Sequence, residues 1–191
     1  MAPKTGYFIK VPFYWQPGCP APAAAARLTF RTAERAWLED ALAQVMAASP
    51  DASDVHAVHA LGARGAALDL LGAVRPHFEF AADWWQRADD ERGEPAGFVL
   101  PVLFADAKHS RDGQREGTIF YMGVLPSQRG KGHGDALLAQ ATLTLCGVGV
   151  WRIFCDTAAN NVPMIAAFRA AGYIEQEPWE RPVSWPPPSD A

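Results

Sequence analysis

The spacing of apolar residues divides the chain into a mainly helical first half and a second half in which strands and helices alternate. Apolar residues recur at helical spacing over 35–48, and a second helical segment over 54–74 is interrupted by two glycines. A short strand is predicted at 27–31, where apolar and polar residues alternate. The proline- and alanine-rich residues before it, 1–26, are predicted to form an irregular arm.

The second half contains short apolar runs separated by polar turns. The predicted elements are strands at 97–105, 118–125 and 150–156, a helix at 162–171 that ends at Gly172, and one or two short strands within 173–185. The first two strands enclose the polar segment 106–117, which is typical of an antiparallel hairpin with a long loop. A helix or turn is expected around 83–88, and 184–191 are predicted to form a flexible tail. This order predicts one α/β (α+β) domain over 27–183.

The turn PSQRGKGHG, residues 126–134, lies between a predicted strand and a predicted helix over 135–146. The start of a helix presents unpaired backbone N–H groups and the positive end of the helix dipole. Glycine has no Cβ, so a phosphate can approach the backbone closely. Arg129 and Lys131 add positive charge beside it. The turn therefore predicts a binding site for a diphosphate.

Two common nucleotide motifs do not fit this turn. A P-loop requires Ser or Thr after the Gly-Lys pair, but Gly132 follows Lys131. A dinucleotide fingerprint places a third glycine where this chain has Asp135, and too little chain follows to complete that fold.

The turn satisfies the pattern R-x-x-G-x-G from Arg129 to Gly134, and a second motif, Asn161 to Tyr173, follows the next predicted strand. Together they resemble the GNAT superfamily of N-acetyltransferases, and the resemblance covers about residues 95–183. It implies the GNAT acyl-CoA N-acyltransferase fold, in which helices flank a central mixed, mostly antiparallel sheet. It also implies acetyl-CoA (coenzyme A) as cofactor and direct transfer of an acetyl group to an amine.

The resemblance assigns residues to the cofactor. The backbone of three residues on the motif strand would pair with the pantetheine arm, the amides of the glycine turn would bind the pyrophosphate, and two residues of the second motif would contact the arm. These cofactor-binding residues are Met122, Gly123, Val124, Arg129, Gly130, Lys131, Gly132, His133, Gly134, Asn161 and Phe168.

The catalytic acid and base do not follow from the resemblance. Many relatives have a tyrosine where this chain has Phe168, which cannot donate a proton, and some have a glutamate where this chain has Thr118. The candidates from elsewhere are Tyr121, Tyr173 and Glu79, with Asp83, Glu116 and His109 more distant choices. A protein that binds or senses acyl-CoA with little or no catalysis is therefore the alternative.

Composition narrows the remaining classes. The 17 basic and 21 acidic residues give a net charge of -4, which does not favour a nucleic-acid partner. The three cysteines lack a zinc-site spacing, and His56 and His59 lack a third ligand, so no metal is expected. Neither a signal peptide nor an apolar run of about 20 residues occurs, which predicts a cytoplasmic protein without membrane contact. The acceptor is expected to be a small-molecule or peptide amine, and the resemblance adds a homodimer.

Overall fold

The computed structural model describes residues 7–19, 22–23, 27–74 and 77–182. The strands within them are β1 (Tyr7–Trp15), β2 (Thr29–Thr32), β3 (Phe78–Glu79), β4 (Gln86–Asp89), β5 (Pro95–Phe104), β6 (Ser110–Arg111), β7 (Gln114–Val124), β8 (Arg152–Ala158), β9 (Ile174–Glu175) and β10 (Trp179–Pro182). The helices are α1 (Arg35–Ala47), α2 (Ala52–Gly72), α3 (His133–Gly147) and α4 (Val162–Ala170). Short 3-10 turns lie at Ala82–Trp84, Ala107–His109 and Pro126–Gln128.

One mixed sheet forms the centre of the fold. Its strand order is β10-β1-β8-β7-β5-β4-β2, and neighbouring strands along this path are antiparallel except for the parallel pair β7 and β8. Successive residues of β5 face opposite ways: Val99 packs in the core with α3 and α4, whereas Phe98 and Leu100 pack in the core with α1 and α2. The predicted fold class, a mostly antiparallel mixed sheet flanked by helices, is confirmed.

Part of the irregular arm predicted over 1–26 is instead a strand: β1 (Tyr7–Trp15) lies inside the sheet. Lys10–Trp15 pair with β8 on one edge, and β9 and β10 pair along the other. Pro12 misled the prediction, because a proline normally excludes a central strand. Its carbonyl nevertheless accepts a hydrogen bond from the Gln176 amide, and the flanking Phe13 is fully buried. The burial of Phe13 therefore outweighs the loss of one backbone hydrogen-bond donor at Pro12.

Two other local predictions also change, and one is confirmed. The segment expected to be helical or turn-like near 83–88 is a short 3-10 turn followed by β4, which pairs with β5. The first motif strand begins at Gln114 instead of residue 118, because its first residues pair with β6 and Gly117 pairs with Leu103 of β5. The long helical segment is interrupted at Gly62, whose φ is 70°, as its glycine predicted. The predicted tail at 184–191 lies outside the described residues.

Candidate functional site

The two parallel strands β7 and β8 are paired only where they begin. Glu116 and Gly117 pair with Arg152 and Ile153, and no further pair joins these strands in the described part of the chain. The other edge of β7 is paired with β5 as far as Val124. The edge of β7 beyond Gly117 therefore has unpaired backbone groups, which another extended chain can bind as an added strand. Met122, Gly123 and Val124 lie in this open segment.

A buried ion cluster holds the strands together where they are paired. The carboxylate of Glu116 is 1% exposed and bonds to Arg152 and His109. Glu79 lies at the same end of the sheet, on β3, and pairs with Arg115 at 3.3 Å. These acidic and imidazole groups, suggested as distant catalytic candidates, are thus near the beginning of β7, whereas the glycine turn follows its end.

The glycine turn has the open geometry that anion binding requires. Gly130 and Gly132 have φ of 78° and 75°, a left-handed conformation that favours glycine. Gly132 caps α3, and no side chain occupies its capping position. A Cβ built at Gly130, Gly132 or Gly134 would meet no atom within 4 Å. Gly130 and Gly132 are exposed, so the start of α3, where the helix dipole is positive, is accessible from solvent.

The basic side chains of this turn bond within the protein. Arg129 donates to the carbonyl of Ala48 at 2.8 Å, and Lys131 donates to Gln128. His133 is 8% exposed, and neither of its ring nitrogens has a hydrogen-bond partner among the described residues. The two cationic side chains of the turn are thus engaged within the protein, and binding of the pyrophosphate by the backbone amides stays a prediction.

The second motif supports the end of β8. Asn161 does not cap α4 with its side chain and instead donates to the Thr157 hydroxyl at 3.0 Å. Phe168 is 3% exposed and stacks on Phe13 with ring centroids 4.8 Å apart. Tyr173 is 4% exposed, and its hydroxyl bonds to Thr142 at 2.7 Å. Phe168 and Tyr173 are therefore core residues in this structure.

A buried network on the opposite face of the sheet joins Tyr121, a catalytic candidate predicted from the sequence, to four charged residues that sequence reasoning did not bring together. Its members come from β1, the start of α2, β8 and β7, and they are Lys10, Asp51, Asp54, Asp156 and Tyr121. Lys10 pairs with Asp156 at 3.1 Å and lies 3.9 Å from Asp51. The available sequence signal was Asp51-Ala-Ser-Asp54, which follows Ser49-Pro50 and is typical of a helix start.

Asp51 joins the start of α2 to the end of β8. Its carboxylate accepts hydrogen bonds from the amides of Ser53 and Ala158 and from the Thr157 hydroxyl. Burial works to raise the pKa of Asp51, but Lys10 and these amides together hold the pKa below its usual value.

Asp54 joins the start of α2 to β7. The Tyr121 hydroxyl donates to its carboxylate at 2.8 Å. Burial raises the pKa of Asp54 even though the hydrogen bonds from Ser49 and Tyr121 lower it. Burial and the neighbouring Asp54 carboxylate raise the pKa of Tyr121 well above its usual value, so this phenol stays protonated.

The connection between α1 and α2 is defined here, together with the first residues of α2, as residues 48–54. It bonds to the glycine turn, to the loop before α4 and to the strands β8 and β7, which surround the opening between these two strands. Arg129 of the glycine turn bonds to Ala48, and Asn160 donates to the carbonyl of Pro50 at 2.6 Å. Asp51 and Asp54 add the links to β8 and β7. An open cleft of about 420 Å³ borders this connection and is lined by Tyr7, Phe8, Ala52, Val55, His56, His59 and Asn160.

Two absences hold for the described residues. No group of three or more His, Cys, Asp or Glu side chains is placed to hold a metal ion there. None of the helices in that part of the chain has the length and apolar character needed to cross a membrane.

Comparison with known proteins gives the family. Residues 63–173, more than half of the chain, match the model of the acetyltransferase (GNAT) family. A mycothiol acetyltransferase of Pseudarthrobacter chlorophenolicus is 28% identical over 116 residues, which cover 56% of this chain and 35% of that protein.

Solved structures agree in fold. A GCN5-related N-acetyltransferase from Sphaerobacter thermophilus superposes with a TM-score of 0.57 at 16% identity, covering 94% of this chain and 54% of that one. An aminoglycoside N-acetyltransferase in complex with CoA gives a TM-score of 0.52 at 19% identity, covering 80% and 91%. This chain therefore spans about a third of the mycothiol acetyltransferase and about half of the Sphaerobacter protein. With the open strand edge and the glycine turn, the family match shows that the chain belongs to the GNAT family of acetyltransferases, whose cofactor is acetyl-CoA.

Proposed function

We propose that this chain transfers the acetyl group of acetyl-CoA to a primary amine. The observation that carries the proposal is the continuity of two open features: the unpaired edge of β7 leads directly into the glycine turn at the start of α3. A ligand with an extended amide-bearing arm and a diphosphate matches both features, because the first needs backbone hydrogen bonds and the second needs exposed amides.

The chain's groups divide the work as follows. The backbone of Met122, Gly123 and Val124 binds the pantetheine arm, and the amides from Arg129 to Gly134 bind the pyrophosphate. Asn161 is held by Thr157 at the end of β8, next to the opening. Acetyl-CoA supplies an activated acetyl thioester. A backbone N–H near Val124 stabilises the negative charge that develops on the carbonyl oxygen.

An amine acceptor is supported by the charges on the far side of the opening. The network there contains three carboxylates, from Asp51, Asp54 and Asp156, and one ammonium group, from Lys10. Surplus negative charge in a poorly solvated region favours a cationic ligand. The relatives named for amine acetylation, an aminoglycoside N-acetyltransferase and a glucosamine N-acetyltransferase region, support the same acceptor class.

Binding of acyl-CoA without turnover is the second candidate, and Phe168 favours it. The residue has no hydroxyl, and its ring is stacked in the core instead of facing the opening. The chain would then rely on water to protonate the departing thiolate, or it would bind the cofactor without transferring the acetyl group.

Cofactor binding is tested by titrating coenzyme A into wild type and the Gly132→Asp variant in a calorimeter. The new carboxylate lies where the pyrophosphate binds, and we expect affinity to fall by about 100-fold or more, from like-charge repulsion and lost access. Gly113→Asp is the matched control: Gly113 has φ of 80°, open space around its Cβ position and a place just before β7 begins, at its far end. Equal affinities for the two folded variants would refute the assignment of the turn.

Catalysis is tested by release of coenzyme A thiol from acetyl-CoA with a panel of glucosamine, kanamycin, benzylamine and a lysine-containing peptide. Amine-dependent release by wild type, together with the acetylated amine detected by mass spectrometry, supports the transferase. Tight coenzyme A binding without release for any amine supports the second candidate.

A further inference from the structure

The Asp54–Tyr121 pair lies beside the segment of β7 that is not paired with β8, on the face of the sheet that packs against α1 and α2. Tyr121 lies in the segment of β7 that is not paired with β8. Its ring packs with the core of α1 and α2, stacked on Phe98 with ring centroids 6.1 Å apart. Asp51 bonds to the end of β8, and Asp54 bonds to Tyr121. The first turn of α2 therefore spans the gap between the two separated strands, on the face opposite α3.

This placement would bring Asp54 close to the reacting thioester. If the thioester is held along the β7 edge and the pyrophosphate at the start of α3, the first turn of α2 would lie on the opposite face of the sheet, beside the reacting group. An acceptor that attacks from the side not occupied by the cofactor therefore arrives next to Asp54 and Tyr121. Asp54 is buried but retains some exposed surface, 8% of the residue.

We propose that Asp54 is the catalytic base that takes a proton from the acceptor's ammonium group, and that Tyr121 is a positioning residue that orients its carboxylate. The inference rests on the proposed function and supplies the base that neither motif contains.

The surroundings of Asp54 suit this role. Tyr121 and Ser49 donate to it, Asp51 lies one helical turn away, and Lys10 is already paired with Asp156. Among the described residues, therefore, no cation forms an ion pair with Asp54. Burial raises the pKa of Asp54, which makes its carboxylate a stronger base than a solvated aspartate.

The proton balance is complete. Asp54 accepts one proton from R–NH₃⁺ and leaves the neutral amine. The nitrogen lone pair forms the C–N bond to the acetyl carbonyl carbon, the C–S bond breaks, and its electrons leave with the sulfur. The second nitrogen proton ends on that sulfur as coenzyme A thiol, and Asp54 then releases its proton to solvent. No oxidant or further reactant is needed.

The test is the pH dependence of kcat/KM for Asp54→Asn, which keeps the size and the hydrogen bond from Tyr121. For an alkylamine we expect a loss of about 100-fold or more near neutral pH, within the range of general base catalysis. The loss should shrink by roughly tenfold for each unit of rising pH, because the amine then loses its proton in solution. With 2,2,2-trifluoroethylamine, which is largely neutral in that range, the loss should nearly vanish. Coenzyme A affinity, measured by calorimetry, should not change.

Two further variants keep the test decisive. Asp69→Asn alters an exposed aspartate on the same helix and should leave the profile unchanged. Tyr121→Phe removes a hydrogen bond that lowers the pKa of Asp54, so the acidic limb of its profile should move to higher pH. If the loss of kcat/KM in Asp54→Asn is the same at every pH and for both amines, this inference is overturned and the proposed function still stands. If Asp54→Asn does not fold, an unmoved limb in Tyr121→Phe overturns it. No thiol release by wild type with any amine overturns the proposed function and this inference with it.

Discussion

Replacing Asp51 with alanine should destabilise the fold far more than removing a surface aspartate. Its carboxylate accepts hydrogen bonds from Ser53 N at 2.9 Å, Thr157 Oγ1 at 3.1 Å and Ala158 N at 2.8 Å. Without it, the buried donors of Thr157 and Ala158 lose their acceptor, at about 1–3 kcal/mol each, and the loss of the α2 cap adds about 1 kcal/mol. We expect a total loss of about 3–7 kcal/mol, a large part of the stability of a domain this size.

Urea unfolding followed by circular dichroism measures this loss as a lower midpoint at an unchanged slope. Because the folded-state pKa of Asp51 is below its unfolded value, its contribution is present above the ordinary carboxyl range and disappears as pH falls through the folded pKa. The gap between wild type and Asp51→Ala should therefore close in acid. Asp106→Ala is the control, since exposed Asp106 makes a similar bond to the Lys108 amide at 3.1 Å. Equal losses in the two variants, or a gap that does not depend on pH, would show that the buried network does not stabilise the fold.

Two other predictions concern packing around the opening. A Cβ at Gly123 would lie 2.5 Å from Cγ1 of Val45, so Gly123→Ala should lower the free energy of unfolding, measured in urea, by about 1–3 kcal/mol. The loss should be clearly smaller when Val45→Ala is already present, and equal losses in both backgrounds would contradict the contact. Burial raises the pKa of Cys155 to about 12, so its thiol should react with Ellman's reagent near pH 8 only after unfolding, while rising pH above the ordinary thiol range should progressively destabilise the fold. Mass spectrometry of the labelled peptides identifies the reacting cysteine, and rapid labelling of Cys155 in the native protein would contradict its burial.

The features that sequence reasoning predicted are local in the chain. The glycine turn could be predicted because its backbone conformation, its flanking cations and the helix that follows all lie within a few residues. The helix break at Gly62 and the order of the second-half strands were predictable for the same reason.

The charged network could not be predicted because its partners are distant along the chain. Asp54 and Tyr121 are separated by 67 positions, and Asp51 and Ala158 by 107. Lys10 fell in a segment whose prolines indicated an irregular arm, although six of its residues pair with β8. Burial and pairing of this kind depend on which strands become neighbours, and the apolar pattern alone does not specify that order.

The short connection at residues 48–54 has a consequence for how this protein can diversify. Ala48, Pro50, Asp51 and Asp54 are bonded to the glycine turn, to the loop before α4 and to the strands β8 and β7. An insertion or deletion there would disturb both the proposed cofactor site and the proposed catalytic base. Residues of the neighbouring cleft, such as Tyr7 and His59, can vary without breaking these links.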